Sequence, residues 1–199
     1  MPRSTDSHTR EKIIQATYDL LENYGYHATG LKEIVSKSGA PKGSIYYYFP
    51  DGKEGIAAET IAFAGEQIAE RIRANLMESA DPAQAVRAFL ETIAHFVEVS
   101  GFEAGGPLTI VASETATTSE KLNAACRDAY NRMRTAFAEK FRAGGFSTDQ
   151  AQSLAWTVTS AVEGGIILCR TYHTGDPLRE VARQMALLIS VVSANEQIT

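Results

Sequence analysis

The sequence predicts an all-α protein of about nine helices, with a three-helix N-terminal head that contains a helix-turn-helix and a larger helical domain behind it. Three observations predict this. Apolar residues recur every three or four positions in segment after segment, the period of an amphipathic helix and not the alternation of a strand. Between those segments fall helix starts such as Asp-Pro or Ser-x-x-Gln and helix stops made by Gly. The chain has 199 residues, 44% of them hydrophobic, enough for a small head and a body with its own core.

The first helix is expected from about Ser7 to Tyr24, with Ile13, Ala16, Leu20 and Tyr24 on one face and Gly25 as its stop. Thr29 is placed to cap a short second helix whose Leu31, Ile34 and Val35 point inward, while Lys32, Glu33 and Lys37 stay in solvent. Ser38-Gly39-Ala40-Pro41 then forces a turn, because Gly39 carries no Cβ penalty and Pro41 costs nothing at a first helical position. A third helix, Lys42 to Tyr48, exposes Lys42, Gly43, Ser44, Tyr46 and Tyr47. That set of cation, small residue, hydroxyl and phenols suits phosphates and base edges.

A long amphipathic fourth helix, about Lys53 to Leu76, carries Ile61, Ala64, Ile68 and Ile72 at helical spacing and joins head to body. The domain boundary therefore falls between residues 1–52 and 53–199. Asp81-Pro82 starts the fifth helix, whose buried stripe is expected at Ala85, Phe89, Ile93 and Phe96. Gly101 to Ser119 reads as loop, short apolar helix and loop. Thr118 or Ser119 then caps a seventh helix reaching Ala143, with Leu122, Cys126, Tyr130, Met133 and Phe137 in line. Ser147 and Gln150 fit a capping box for an eighth helix to about His173, and Asp176-Pro177 opens a ninth that ends near Ala194.

The formal charge of −5 argues at first against a nucleic-acid partner. Met1 to Gly55, however, holds seven basic and seven acidic residues, so the acidity belongs to the body, and Lys32, Lys37, Lys42 and Lys53 lie close together in the head. The polar N-terminus lacks a secretory signal, and the apolar run Met185 to Ala194 is too short to span a bilayer. A cytoplasmic protein with no membrane partner is expected. Cys126 and Cys169 lie far apart, without metal-ligand spacing, and read as two core thiols.

Catalytic and cofactor motifs fail. The Gly39 to Ser44 segment lacks the spacing of a phosphate-binding loop, there is no GxSxG elbow, and His8, His27, His95 and His173 are isolated. No metal, no cofactor and no enzyme activity are expected. An enzyme would have to use Glu163 or Glu114 as a lone base.

The stretch Leu31 to Ile56 resembles the TetR-type transcriptional repressors. It has their Ile-containing second helix, Ser-Gly-Ala turn, Lys-Gly-Ser-hydrophobic-Tyr-x-Tyr-Phe recognition helix and Lys-Glu entry to the fourth helix. The connection Phe49-Pro50-Asp51-Gly52-Lys53 is one residue longer than in most members. With Gly39-Ala40-Pro41-Lys42-Gly43 and Gly106-Pro107-Leu108, it is similar to the LmrA/YxaF-like branch. The body matches in length and helix layout.

The resemblance implies contacts to operator DNA from Thr29, Lys42, Ser44, Tyr46, Tyr48 and Lys53, close backbone approach at Gly43, a tuning role for Tyr47, and burial of Ile45 and Phe49. Since consecutive helical residues point about 100° apart, Tyr46, Tyr47 and Tyr48 cannot all face the groove.

Two features of the body fit the same expectation. The eighth helix runs from Trp156 to Cys169 with only Glu163 ionisable, so it needs cover on both sides. Two copies of the last two helices would provide it in a homodimer, with Ala161, Gly164 and Gly165 letting backbones approach and Met185, Leu188 and Val192 contributing from the ninth helix, or one face could simply pack on the ninth helix within a monomer. The aromatic and semi-polar residues Phe63, Phe89, His95, Phe96, Tyr130, Met133, Phe137, Trp156 and Glu163 could line an effector cavity or form an ordinary helical core. The cavity reading implies a small hydrophobic or aromatic ligand that releases double-stranded operator DNA.

Overall fold

The computed structural model describes residues 4–196, which form nine α-helices and no strand. These are α1 (Ser4–Ala28), α2 (Leu31–Ser38), α3 (Lys42–Tyr48), α4 (Gly52–Leu76), α5 (Pro82–Val99), α6 (Pro107–Thr115), α7 (Glu120–Ala143), α8 (Thr148–Tyr172) and α9 (Asp176–Glu196). They make two compact units. One contains the described residues through Glu66 together with Gly106–Ala129, and the other contains Gln67–Gly105 and the described residues from Tyr130 onward. The boundary expected at residue 53 thus differs from the packing, since α6 and the first half of α7 fold with the head.

In the first unit, α2, α3 and α6 all pack on α1. Ile13, Ile14, Leu20, Ile34, Ala40, Ile45, Phe49 and Ile56 form one apolar core, with Leu31, Val35 and Tyr48 packed at its edge. Gly25 interrupts α1 as expected, at φ 75° and ψ −178°, but one further turn follows before Thr29. Tyr24, expected in the buried stripe, is exposed, because the helix breaks at the next residue and Leu20 and Leu21 close the core instead. Thr29 is not the cap of α2. Gly30 takes that position without a side-chain bond, and the Thr29 hydroxyl donates to the Gly25 carbonyl that the break leaves without a helical partner (2.7 Å). At the other end of α2, Gly39 adopts the left-handed conformation and its N–H donates to the Val35 carbonyl, as the turn requires.

In the second unit α9 packs on α5 and α8. Phe89 and Phe137 meet edge to face at 5.6 Å in its core. The buried stripe of α5 runs through Val86, Leu90, Ala94 and Val97, flanked by Ala85 and Phe89. The stripe expected at Ala85, Phe89, Ile93 and Phe96 was one position off at its end: Val97 continues it and Phe96 turns outward, 51% exposed. The α8 capping box is present, with the Gln150 N–H donating to the Ser147 hydroxyl and the Ser147 N–H to the Gln150 side chain. Cys126 and Cys169 are buried thiols, and burial pushes Cys126 up to about 11, which keeps it protonated and inert. No helix among the described residues is long and apolar enough to cross a membrane.

Candidate nucleic-acid interface

The turn at Gly39 and Pro41 aims α3, and burial of Ile45 and Phe49 decides which side of it faces out. Lys42, Gly43, Tyr46 and Tyr47 are exposed, Tyr47 by 72%, and Ser44 is half-buried with its N–H donating to the Pro41 carbonyl (2.9 Å). Lys42 and Tyr46, and likewise Gly43 and Tyr47, are four residues apart, so the four share one face. Tyr48 turns inward onto the head core, edge-on to Tyr47 at 4.9 Å and to Phe49 at 6.5 Å. The 100° step between helical residues thus selects Tyr46 and Tyr47 over Tyr48.

Beside them a groove of about 340 Å³ between α2 and α3 is lined by Leu31, Lys32, Val35, Lys42, Ile45 and Tyr46. Neither Lys32 nor Lys42 has an ion-pair partner among the described residues, whereas Lys37 is paired with Asp19 at 3.2 Å. Open space surrounds Gly43, so packing within the chain does not require a glycine there. The face can offer cations and phenols to a polyanion while its backbone approaches closely.

Two expected contact residues sit differently. The Thr29 side chain is buried and its hydroxyl occupied, so it does not join the exposed face. Lys53, at the start of α4, lays its ammonium over the Tyr26 ring, 4.1 Å from the centroid. Burial pushes this lysine below its usual range, while Glu114 and Glu33 pull it back up.

The expected effector lining is divided between the two units. Phe89, Met133 and Phe137 are core residues of the second unit. The half-buried Tyr130 hydroxyl donates to Glu163 at 3.1 Å. His95, Phe96 and Trp156 face outward, because their helices bury the neighbouring positions Ala94, Val97 and Ala155, and the Arg134 guanidinium covers Trp156 at 4.7 Å. Phe63 belongs to the first unit, where it borders a groove with Arg10, Ile14 and Gln15. Arg134 was missed by sequence reasoning, since only the fold sets it against Trp156 of α8.

Of the expected dimer residues, Gly165 is buried inside the chain. A Cβ there would stand 2.5 Å from Cδ2 of Leu178, so it serves the α8–α9 contact within one molecule. Gly164 meets open space, and Ala161, Met185 and Val192 are half-buried. Leu188 is exposed along with Leu187 and Val191 on α9, and Ile167, Leu168 and Tyr172 are exposed on α8. Ile167, Leu168 and Tyr172 follow Gly164, and Val191 follows Leu188, by helical spacing, the signal that could have found them, whereas Leu187 adjoins Leu188.

Residues 13–60 match the family model of bacterial regulatory proteins of the tetR family, and residues 82–184 match that of the LmrA/YxaF-like transcriptional regulator C-terminal domain. The chain is 38% identical to the uncharacterized HTH-type transcriptional regulator YxaF of Bacillus subtilis over 91% of this chain and 95% of that protein. It is 37% identical to the HTH-type transcriptional regulator LmrA of the same organism, over 87% and 93% of the two chains. Among solved structures, the regulatory protein TetR from Rhodobacter sphaeroides superposes with a TM-score of 0.77 at 22% identity, covering 88% of this chain and 96% of its own. A cysteine mutant of the TetR-family regulator CifR, complexed with 26-bp double-strand operator DNA, does so with a TM-score of 0.75 at 19% identity, covering 88% and 94%.

Proposed function

From the premise that this chain belongs to the TetR family, with an LmrA/YxaF-like C-terminal domain, we propose that it is a homodimeric repressor released from operator DNA by a small hydrophobic or aromatic effector. The family consists of helix-turn-helix transcriptional regulators and not of enzymes, so Glu163 and Glu114 are not catalytic bases. The observation that carries the reading is the outward face of α3, where Lys42, Gly43, Tyr46 and Tyr47 stand exposed on a buried Ile45 and Phe49. Lys42 and Lys53 meet phosphates and fix the register, and Tyr46 and Tyr47 read the groove. The protein acts in the cytoplasm, where its buried thiols stay reduced. DNA reading belongs to residues 1–52 together with Lys53 at the start of α4, and effector binding and pairing to the rest of 53–199.

Self-association is supported by the exposed apolar stripe of α8 and α9, Ile167, Leu168, Tyr172, Leu187, Leu188 and Val191. Pairing two such stripes into a four-helix interface buries them and presents two α3 helices to successive major grooves, about 34–36 Å apart on a near-palindromic operator. Effector binding couples to DNA through a change in the head, with a coupling of about 1–3 kcal/mol weakening the operator by roughly 5- to 150-fold. The Tyr130–Glu163 pair supplies a polar handle beside the apolar Met133 and Phe137. A second reading, a dimer that binds DNA without an effector, is favoured by the outward turn of His95, Phe96 and Trp156.

The test is selection of duplexes from a random-sequence library by the native protein. Two-fold symmetric half-sites separated by about one helical turn are the expected product. Recovery of sequences with no common element would overturn the reading.

A further inference from the structure

The break of α1 at Gly25 leaves the next turn, Tyr26 to Ala28, with a helical start of its own and backbone N–H groups that α1 does not satisfy. Glu114, near the end of α6, satisfies them. Its Oε2 accepts from the Tyr26 N–H at 2.6 Å and from the His27 N–H at 3.0 Å, and its carbonyl oxygen lies 3.3 Å from the His27 ring nitrogen Nε2. The carboxylate thus acts as an N-cap supplied from a segment 87 positions away in sequence. Gly25 is required for the approach, since a Cβ there would collide with Glu114 Oε1 and the backbone has a positive φ. The turn held in this way carries the Tyr26 ring on which the Lys53 ammonium rests, 4.1 Å from the centroid. Hydrogen bonds and a cation–π contact therefore run without interruption from α6 to the first lysine of α4.

We propose that Glu114 is a positioning residue for DNA binding: by capping the Tyr26–His27 turn it fixes the ring that seats Lys53, and so sets the phosphate contact at the start of α4. The inference rests on the DNA-binding reading above and adds to it a residue outside the helix-turn-helix. An α6 that shifted or rotated would withdraw the cap, release Tyr26 and leave the Lys53 ammonium unseated. Two neighbouring contacts join the chain just after α6 to the residues around the start of α4. The Ser119 hydroxyl donates to Glu54 at 2.6 Å, and Lys121 pairs with Asp51.

The test titrates a duplex selected by the native protein, at several salt concentrations, with full-length Glu114→Ala, Glu114→Gln, Tyr26→Leu, Tyr26→Phe and Lys53→Ala variants. Glu114→Ala and Tyr26→Leu are expected to weaken binding by roughly three- to tenfold and to flatten the salt slope as Lys53→Ala does, by about one counterion per head. Glu114→Gln keeps an acceptor oxygen and Tyr26→Phe keeps the ring, so both should stay near native. Combined with Lys53→Ala, neither Glu114→Ala nor Tyr26→Leu should weaken binding further, whereas a merely structural role would add its own loss. Tyr26→Leu leaves the backbone cap in place, and it decides the matter if Glu114→Ala fails to fold. Native affinity and slope in Tyr26→Leu and in folded Glu114→Ala, with Lys42→Ala and Lys53→Ala impaired, would overturn the positioning role alone. Native behaviour of Lys42→Ala and Lys53→Ala as well would overturn the DNA-binding reading beneath it.

Discussion

Gly165 of α8 lies so close to Leu178 of α9 that a Cβ on the glycine would come within 2.5 Å of the leucine Cδ2. Its neighbour Gly164 faces open space. Two adjacent glycines thus serve different surfaces, the first inside one chain and the second on its outside. Gly165→Ala is expected to destabilise the fold by about 1–3 kcal/mol through overpacking, read as a lower midpoint in urea unfolding. Gly164→Ala, at a helical glycine that faces open space, should leave stability unchanged or raise it by up to about 1 kcal/mol, the helix preference of Ala over Gly. Equal effects of the two would contradict this division.

The exposed apolar stripe on α8 and α9 gives a second prediction. A charge at Leu168 or Leu188, as in Leu168→Glu combined with Leu188→Glu, should leave folded monomers in place of the proposed dimer, because an unpaired carboxylate cannot be buried at an apolar contact without a cost of several kcal/mol. Sedimentation at micromolar concentration measures it. Native protein that sediments as a monomer would remove the dimer from the account.

Effector binding is tested through Tyr130 and Glu163. Trp156 is the only tryptophan, and it stands one helix turn from Ser160 and two from Glu163 on α8. A hydrophobic or aromatic compound bound near the Tyr130–Glu163 pair should change its fluorescence and release DNA over the same concentration range. Tyr130→Phe should shift both curves together by about 1 kcal/mol if the hydroxyl orients the ligand. If no compound in a broad panel changes either signal, the effector-independent dimer is the correct reading.

Stability should also depend on pH through Glu98. The hydrogen bond from Arg179 holds its carboxyl below the usual value of 4.5, aided by the Gly175 N–H, which donates at 2.9 Å. A depressed native pKa means the unfolded state binds the proton more readily, so this contribution is full above the unfolded pKa and is lost as pH falls through the native one. Glu98→Gln should therefore flatten the acid limb of a melting-temperature profile and leave the neutral limb parallel to native. An unchanged acid limb would show that the pair contributes nothing.

The head was readable because its signals are local. Gly39 and Pro41 make the turn from their own backbone preferences, and the spacing of Ile45 and Phe49 fixes the outer face of α3 without reference to distant residues. What stayed hidden depends on contacts distant in sequence. No periodicity tells that Glu114 meets Tyr26, or that α6 folds with α1, because a carboxylate at position 114 fits a solvated helix face equally well. The α5 stripe could be drawn through Phe96 or Val97, since a one-residue rotation changes an apolar face little in sequence but moves a side chain from core to surface. The same ambiguity placed Trp156 inside and Gly165 outside, the reverse of what the packing shows.

The central claim is that α3 reads DNA with the face that carries Lys42, Tyr46 and Tyr47. The direct measurement is the salt-dependent affinity of the native protein and of a Lys42→Ala/Tyr46→Ala/Tyr47→Ala variant for a duplex selected by the native protein. Loss of specific binding is expected, at about 1–3 kcal/mol for each base-reading side chain, together with a salt slope lower by about one counterion per head for Lys42. A folded triple variant with native affinity and native slope would contradict the account.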